Sequence, residues 1–253
     1  MTFTIKGWRR PSLFATIKLM TKGKFIVFEG LDNSGKSTQT KMLLERLRKE
    51  GIKVSKIDFP RHGEPGAWLV DNYLVGKYGS AKEIGPYVPS IFYACDRFDA
   101  SMDIRKRLKS GQLVICDRYV ASNIGHQGGK ISDKKKREKY LTWLHELEYD
   151  VFKIPKPDIT VILKNSPELS MKLSKKKGGD AEKRARKKSY LRGQKSDIHE
   201  NDLTHLKQTI DSYLWVAKKF PKEYKIIECI KSGKMLTPDE VHKKIWEEVK
   251  NKI

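Results

Sequence analysis

The sequence predicts an α/β fold, in which five parallel strands form one sheet and helices cover both of its faces. Five short apolar runs, each typical of a buried strand, alternate with longer stretches of helical periodicity. With 253 residues the chain is long enough for one domain with a substantial core, and it has no internal repeat or proline-rich linker. We therefore expect a single domain over residues 23–253.

The predicted strands lie, in chain order, at residues 24–29, 53–59, 112–117, 158–163 and 224–229. A helix over residues 36–50 follows the first strand, with Leu43 and Leu47 on one face, and Gly51 ends it. A second helix is predicted over residues 137–152. Its core-facing side is formed by Tyr140, Trp143, Leu144, Leu147 and Val151.

Ligands of parallel sheets bind beyond the carboxyl ends of the strands. The loops that can carry function are therefore those that follow Glu29, Phe59, Asp117, Leu163 and Cys229.

The charge of the chain is concentrated in three basic blocks. The sequence has 53 basic and 31 acidic residues, a net charge of +22, and residues 1–24, 130–139 and 172–195 together carry +19 of it. Such blocks attract anions, which include nucleic acid and the phosphates of a nucleotide. The lysines are not interleaved with stacking aromatics and no recognition motif for DNA or RNA is present, so nucleic acid is not the partner we expect.

Residues 1–22 are interpreted as a basic extension outside the fold. Its composition also resembles an organelle-targeting presequence, and an upstream start codon with initiation at Met20 would explain it as well. Three scattered cysteines argue against a disulfide framework or a metal site, and we expect buried thiols in the reducing cytoplasm. No apolar run is long enough to cross a bilayer, so no membrane partner is expected.

A complete phosphate-binding pattern, G-x-x-x-x-G-K-[ST], is present between the first strand and its helix. Glycines allow backbone N–H groups to face phosphates, and the helix N-terminus adds a positive dipole end. Lys36 would reach the β- and γ-phosphates, and the Ser37 hydroxyl would bind Mg²⁺. This context disfavours a glycine-rich turn without nucleotide, and it predicts a P-loop NTPase fold. The predicted ATP contacts are Gly30, Leu31, Asp32, Asn33, Ser34, Gly35, Lys36, Ser37 and Thr38.

Asp117 ends an apolar strand, as expected of the carboxylate that holds Mg²⁺ through its water shell. Many strands end in aspartate at a turn, so this feature gains weight only beside an intact phosphate loop.

Three segments together resemble the signature of the thymidylate kinases. They are Phe28–Gln39, Phe59–Arg61 and Asp117–Asn123, and the similarity extends from about Lys24 to the C-terminus. The resemblance implies a kinase that transfers the γ-phosphoryl of ATP to dTMP in dTTP biosynthesis, with Mg²⁺ as cofactor and a homodimer as the assembly. Its nearest rival is a kinase for another nucleoside monophosphate or deoxynucleoside. The sequence also leaves open a nucleic-acid-binding P-loop protein and a homologue that has lost its activity.

The resemblance also assigns residues to the acceptor nucleotide. A monophosphate needs guanidinium groups beyond the strand ends, and Arg61 and Arg118 are placed there. Arg118 would bind the acceptor phosphate and act in catalysis together with Lys36. The remaining predicted dTMP contacts are Asp32 at the 3′-hydroxyl, Phe59 and Tyr93 on the faces of the base, Arg97 and Asn123 at its edge, and Gln127 near the deoxyribose.

Two of these assignments compete with a purely structural role. Tyr93 lies in an apolar run and could belong to the core, and Arg97 could pair with Asp96 or Asp99 at the surface. His126 lies beside Gln127, near the deoxyribose in the family, without a definite role.

Some members of the family carry an arginine in the phosphate loop, where this chain has Asn33 and Ser34. Stabilisation of the migrating phosphoryl group would then come from a mobile basic lid over residues 172–197. Its candidate catalytic residues are Arg184 and Arg186, with Arg192, Lys187 and Lys188 as further candidates. Most of these lysines could equally belong to a solvated loop.

Overall fold

The computed structural model describes residues 22–175, 191 and 202–253. Five strands form one parallel sheet, as the sequence predicts, and their order in it is β2-β3-β1-β4-β5. The strands are β1 (Phe25–Gly30), β2 (Val54–Asp58), β3 (Leu113–Asp117), β4 (Ile159–Lys164) and β5 (Tyr224–Glu228).

The α-helices of the described chain connect these strands and pack on both faces of the sheet. They are α1 (Lys36–Lys49), α2 (Trp68–Leu74), α3 (Tyr87–Lys109), α4 (Val120–His126), α5 (Lys134–His145), α6 (Pro167–Lys175), α7 (Leu203–Lys219) and α8 (Pro238–Val249).

The sheet has a separate apolar core on each face, because side chains alternate along a strand. Phe25 and Val27 pack with α3, α4, α5 and α7 on one face. Ile26 and Phe28 pack with α1 and α8 on the other. Since both faces are covered, every residue of β1 is buried, which explains the apolar run over residues 25–28 at its start.

The order of the strands positions the ligand crevice. From β1 the chain passes through α1 to β2, at one edge of the sheet. From β3 it runs in the opposite direction, past β1, to β4 in the other half of the sheet. Such a reversal opens a crevice at the carboxyl ends of the strands where it occurs, here β1 and β3. In the register of this pair, Phe28 is opposite Asp117.

The predicted helix over residues 137–152 is wrong in its second half. After α5 the segment Glu146–Val151 is π-helical. The wider turn changes which side chains face the core. Val151, predicted to be buried, is 68 % exposed, whereas Glu148 is fully buried.

Further differences concern the last part of the chain. A small antiparallel pair, β6 (Ile230–Lys231) and β7 (Lys234–Met235), lies within a segment for which the sequence predicts only a loop. Cys116 and Cys229 are buried and Cys95 is partly buried, and all three are free thiols. Within the described residues, no helix is both long and apolar enough to span a membrane.

Candidate active site

The phosphate loop begins where β1 ends and leads directly into α1. Gly30 has φ of 136°, and a Cβ there would lie 2.5 Å from the carbonyl oxygen of Leu163, so a side chain is excluded by both conformation and space. Gly35, with φ of 95°, is the N-cap of α1. These two conformations turn the loop so that the first N–H groups of α1 remain available to an anion.

Lys36 lies inside the loop and is held by its backbone. Its Nζ donates to the carbonyl oxygens of Gly30 at 3.1 Å and Leu31 at 2.8 Å. Burial lowers the pKa of Lys36 to about 8, and the nearby charge of Arg118 acts in the same direction. A buried ammonium of this kind gains free energy when an anion arrives to balance it.

Asp117 and Ser37 are the predicted metal ligands. Asp117 is buried, and its Oδ1 has no hydrogen-bond partner within the described chain. Such an atom requires a partner, because desolvating it without one is costly. Ser37 is exposed at the start of α1. A carboxylate and a hydroxyl are oxygen donors of the kind that Mg²⁺ prefers, so this pair fits the ion.

Arg118 connects the end of β3 with the phosphate loop. Its Nη2 lies 2.6 Å from Asp32 Oδ1, and its Nη1 donates to the Gly30 carbonyl oxygen at 3.3 Å. Burial by itself would lower the pKa of Arg118, but the charge of Asp32 and other nearby groups raises it overall. A carboxylate such as Asp32, placed between two phosphate sites, is expected to need a hydroxyl or a metal-linked water as its partner. In this structure the guanidinium group of Arg118 balances its charge.

The backbone that presents Arg118 is unusual and is fixed by a buried acid. Arg118 has φ of 68°, a left-handed conformation rare outside glycine. Next to it, Glu29 is fully buried and accepts from Tyr119 N at 2.7 Å, from Ser122 N at 2.9 Å and from Tyr213 Oη at 2.9 Å. Burial raises the pKa of Glu29, although these hydrogen bonds oppose the shift. Glu29 thus ties β1, α4 and α7 together beneath the site.

The sequence suggests that Arg97 forms a surface ion pair with Asp96 or Asp99, but the structure gives these acids a different partner. Arg61, not Arg97, pairs with Asp96 at 2.8 Å and with Asp99 at 2.5 Å. Arg97 is 1 % exposed and makes a bidentate pair with the equally buried Glu148 through Nε at 2.7 Å and through Nη2. Its Nη1 is directed at the Tyr119 carbonyl oxygen, 3.4 Å away. Arg97 is therefore no surface ion-pair partner, and its predicted contact with the base edge stays a prediction.

The other predicted acceptor residues are buried or partly buried near these groups. Tyr93 packs edge-on against Tyr73, with ring centroids 6.3 Å apart, in a small apolar cluster. Phe59 packs against Tyr119 at 5.8 Å. The Asn123 amide donates to the Ser90 carbonyl oxygen at 3.1 Å.

Gln127 is 1 % exposed, and its Oε1 lacks a hydrogen-bond partner among the residues described. A buried amide oxygen in this state is suited to a ligand contact.

Some of the site could not be read from local sequence. Glu148 and Tyr213 are far from the signature segments, and His205 lies in the first turn of α7. The one sequence signal for these buried contacts is Glu29, an acidic residue in an otherwise apolar strand. The lid candidates Arg184, Arg186, Arg192, Lys187 and Lys188 lie outside the described residues, as does nearly all of the predicted N-terminal extension.

The sequence of this chain is similar to those of known thymidylate kinases. A family model described as thymidylate kinase matches residues 28–245. The thymidylate kinase of Pelotomaculum thermopropionicum is 29 % identical over 221 residues, covering 86 % of this chain and 91 % of the relative. That of Plasmodium falciparum is 32 % identical over 146 residues, covering 58 % of this chain and 63 % of the relative, so the chain spans just under two thirds of that protein.

A solved structure of thymidylate kinase from Candida albicans has the same fold. It superposes with a TM-score of 0.67 at 24 % identity and covers 91 % of this chain and 92 % of the other.

Proposed function

The chain belongs to the thymidylate kinase family, and we infer that it transfers the γ-phosphoryl group of ATP to dTMP to give ADP and dTDP. It is an ATP-dependent nucleoside monophosphate kinase of dTTP biosynthesis. The observation that carries this function is the contact between Arg118 and Asp32, which joins an arginine beyond β3 to the interior of the phosphate loop. An acceptor phosphate bound by Arg118 would lie beside a triphosphate bound by Lys36.

The donor triphosphate binds to residues Gly30–Thr38. Backbone N–H groups at the start of α1 donate to the phosphate oxygens, and Lys36 exchanges its carbonyl partners for the β- and γ-phosphates. Without a ligand, the buried ammonium of Lys36 has two carbonyl oxygens as hydrogen-bond acceptors. Contact with phosphate oxygens lowers the free-energy cost of burying its charge. Binding energy is thereby concentrated on the phosphoryl group that moves.

The acceptor dTMP binds on the β3 side of the crevice. Arg118 holds its phosphate in line with the γ-phosphate, and Arg61 adds positive charge while Asp96 orients it. Phe59 and Tyr93 enclose the base. Asn123 and the Nη1 edge of Arg97 bind its polar edge, Gln127 lies near the deoxyribose, and Asp32 binds the 3′-hydroxyl.

Ser37 and, through water, Asp117 would hold Mg²⁺. When bound, the ion would neutralise charge on the β- and γ-phosphates. The unpartnered Oδ1 of Asp117 supports this assignment.

During transfer an oxygen of the dTMP phosphate bonds to the γ-phosphorus as the bond to the oxygen bridging β and γ breaks, and ADP leaves with that electron pair. The migrating group carries negative charge, which Lys36 and Arg118 stabilise from the described part of the site. Because Asn33 and Ser34 are not basic, Arg184 and Arg186 are proposed to supply the further positive charge.

A homodimer is proposed on the outer face of α3. Val88, Ile91, Phe98 and Met102 share one helical face and are between 40 % and 68 % exposed. An apolar stripe of this kind along a 23-residue helix favours burial against a partner. A second copy of this chain fits, since an isologous contact would pair α3 with itself.

The function is tested with a coupled assay in which purified protein and ATP receive dTMP, dUMP, dCMP or AMP. We expect the highest kcat/KM with dTMP. Strong preference for dCMP or AMP would contradict the substrate assignment. The variants Lys36→Ala and Lys41→Ala distinguish loss of a site lysine from loss of a surface lysine, because Lys41 is exposed on the same helix. The first should reduce kcat by about 100-fold or more, and the second should leave it unchanged.

A further inference from the structure

Two histidines lie next to each other beside the guanidinium group of Arg118. His126 is the last residue of α4, and His205 lies in the first turn of α7. The Nδ1 of His126 is 3.2 Å from the Nε2 of His205, and its Nε2 is 3.2 Å from Arg118 Nη1. The rings are stacked, with centroids 5.4 Å apart. The three side chains form a continuous row of hydrogen-bonding atoms.

The donors and acceptors of this row follow from chemistry. Arginine only donates hydrogen bonds, so the Nε2 of His126 must accept and carries no proton. In a neutral ring the proton of His126 is therefore on Nδ1, from which it is donated to the Nε2 of His205. That atom must in turn be unprotonated, which places the proton of a neutral His205 on its own Nδ1.

The surroundings of His205 favour this neutral form. His205 is 5 % exposed, and burial lowers its pKa to about 4. The charge of Lys130 acts in the same direction, whereas Asp202 and Asp32 oppose it. Thr209 Oγ1 lies 3.5 Å from the same Nε2. His205 is therefore a neutral acceptor at physiological pH.

The contacts of Arg118 are distributed over its two terminal nitrogens. Asp32 accepts from Nη2, and His126 together with the Gly30 carbonyl oxygen lies against Nη1. Acceptors on two different nitrogens fix the direction of the planar group as well as its position. Because imidazole is neutral, it orients the arginine without cancelling the charge that a phosphate dianion requires.

We propose that His126 is a positioning residue for Arg118, fixed in its Nδ1-protonated tautomer by His205. The inference rests on the proposed function, in which Arg118 binds the acceptor phosphate. His126 touches no reacting atom in this scheme, and it acts on the acceptor only through the arginine. The Tyr213 ring lies edge-on to the His126 ring, with centroids 6.2 Å apart.

The first test is the tautomer itself, measured by ¹⁵N NMR of the imidazole nitrogens of the full chain at pH 7.5 without nucleotide. We expect His126 to be protonated on Nδ1 and not on Nε2. The opposite tautomer, or a ring protonated on both nitrogens, would overturn the proposal. This measurement needs no substrate, so it remains decisive if dTMP is not phosphorylated.

The second test is a double-mutant cycle on kcat/KM for dTMP. His126→Phe keeps a ring of similar size but removes the acceptor, and we expect a loss of about tenfold with KM for ATP unchanged. His126→Gln can present an amide oxygen to Arg118 and should recover most of the loss.

In an Arg118→Ala background the same His126→Phe change should cost nothing further, because its effect requires the arginine. A loss that persists in that background would show that His126 acts on the substrate or on the fold, and would refute the proposal. Wild-type protein that turns over no dTMP would contradict the proposed function instead.

Discussion

Asp32 and Arg118 form an ion pair at 2.6 Å that crosses the candidate site, from the middle of the phosphate loop to the end of β3. The side chain of Asp32 is 40 % exposed and that of Arg118 is 15 % exposed, so the carboxylate remains within reach of a ligand while the pair is formed. One acidic group can therefore orient Arg118, the arginine proposed to bind the acceptor phosphate, and still face a bound ligand.

The proposed contact of Asp32 with the 3′-hydroxyl predicts how replacement of Asp32 changes substrate preference. Wild-type protein should prefer dTMP over 3′-deoxy-dTMP in kcat/KM, because a site built to bind a hydroxyl is left unsatisfied without it. With Asp32→Ala that ratio should fall towards 1, since the carboxylate that senses the hydroxyl is gone. Steady-state kinetics with both nucleotides measure it, and an unchanged ratio would contradict the assignment.

The Arg97–Glu148 pair predicts a large stability effect at a buried position. Glu148→Ala leaves the Arg97 guanidinium buried without its partner, which should lower the free energy of unfolding by about 3–5 kcal/mol. Glu138→Ala removes the exposed pair between Glu138 and Lys219 and should cost less than about 1 kcal/mol. Urea denaturation of the two variants makes the comparison, and equal losses would be inconsistent with the burial of Glu148.

Lys36 predicts a pH dependence of ATP binding. Its pKa in the folded protein is lowered from 10.5 to about 8. Above pH 8 the unliganded protein loses the Lys36 proton, and bound triphosphate must recover it, so affinity should fall by up to about tenfold per pH unit. Below that pH the ammonium is already present and the contribution of this group is constant.

Titration calorimetry between pH 6.5 and 9.5, in buffers of different ionisation enthalpy, measures both the affinity and the proton uptake. Constant affinity without proton uptake above pH 8 would contradict the role of Lys36.

The apolar face of α3 predicts that assembly depends on Phe98. Phe98→Glu places a charge in the proposed contact and should convert the dimer to a monomer. Thr142→Glu, at an exposed position of α5, is the matched control and should leave the mass unchanged. Light scattering after size-exclusion chromatography distinguishes the two, and a monomeric wild-type protein would disprove the homodimer.

The five strands, and α1 after the first of them, could be predicted because their signals are local. A buried parallel strand is a short continuous apolar run, and the phosphate loop is a fixed spacing of glycine, lysine and serine between a strand and a helix. The second half of the predicted helix at residues 137–152 failed because α-helical spacing was assumed where the chain is π-helical. The inward position of Glu148 followed from that change and was missed with it.

For the site, the sequence names candidate residues more readily than it names their partners in the fold. Arg61 and Arg97 were both recognised as candidates, but the sequence suggested Asp96 or Asp99 as partners of Arg97, and those acids pair with Arg61. Adjacent residues in a helix point in different directions, so Asp96 and Arg97 each find partners on different elements.

By itself, the sequence determined that this chain has a P-loop α/β fold, and the order of its signature segments placed it among the thymidylate kinases. The tertiary structure decided which charges meet. Asp32 and Arg118 are 86 residues apart in the chain, His126 and His205 are 79 apart, and Arg97 and Glu148 are 51 apart. Local patterns report how a segment folds because backbone geometry repeats along it. Partners at such separations are chosen by packing of whole helices on the sheet, which no local pattern encodes.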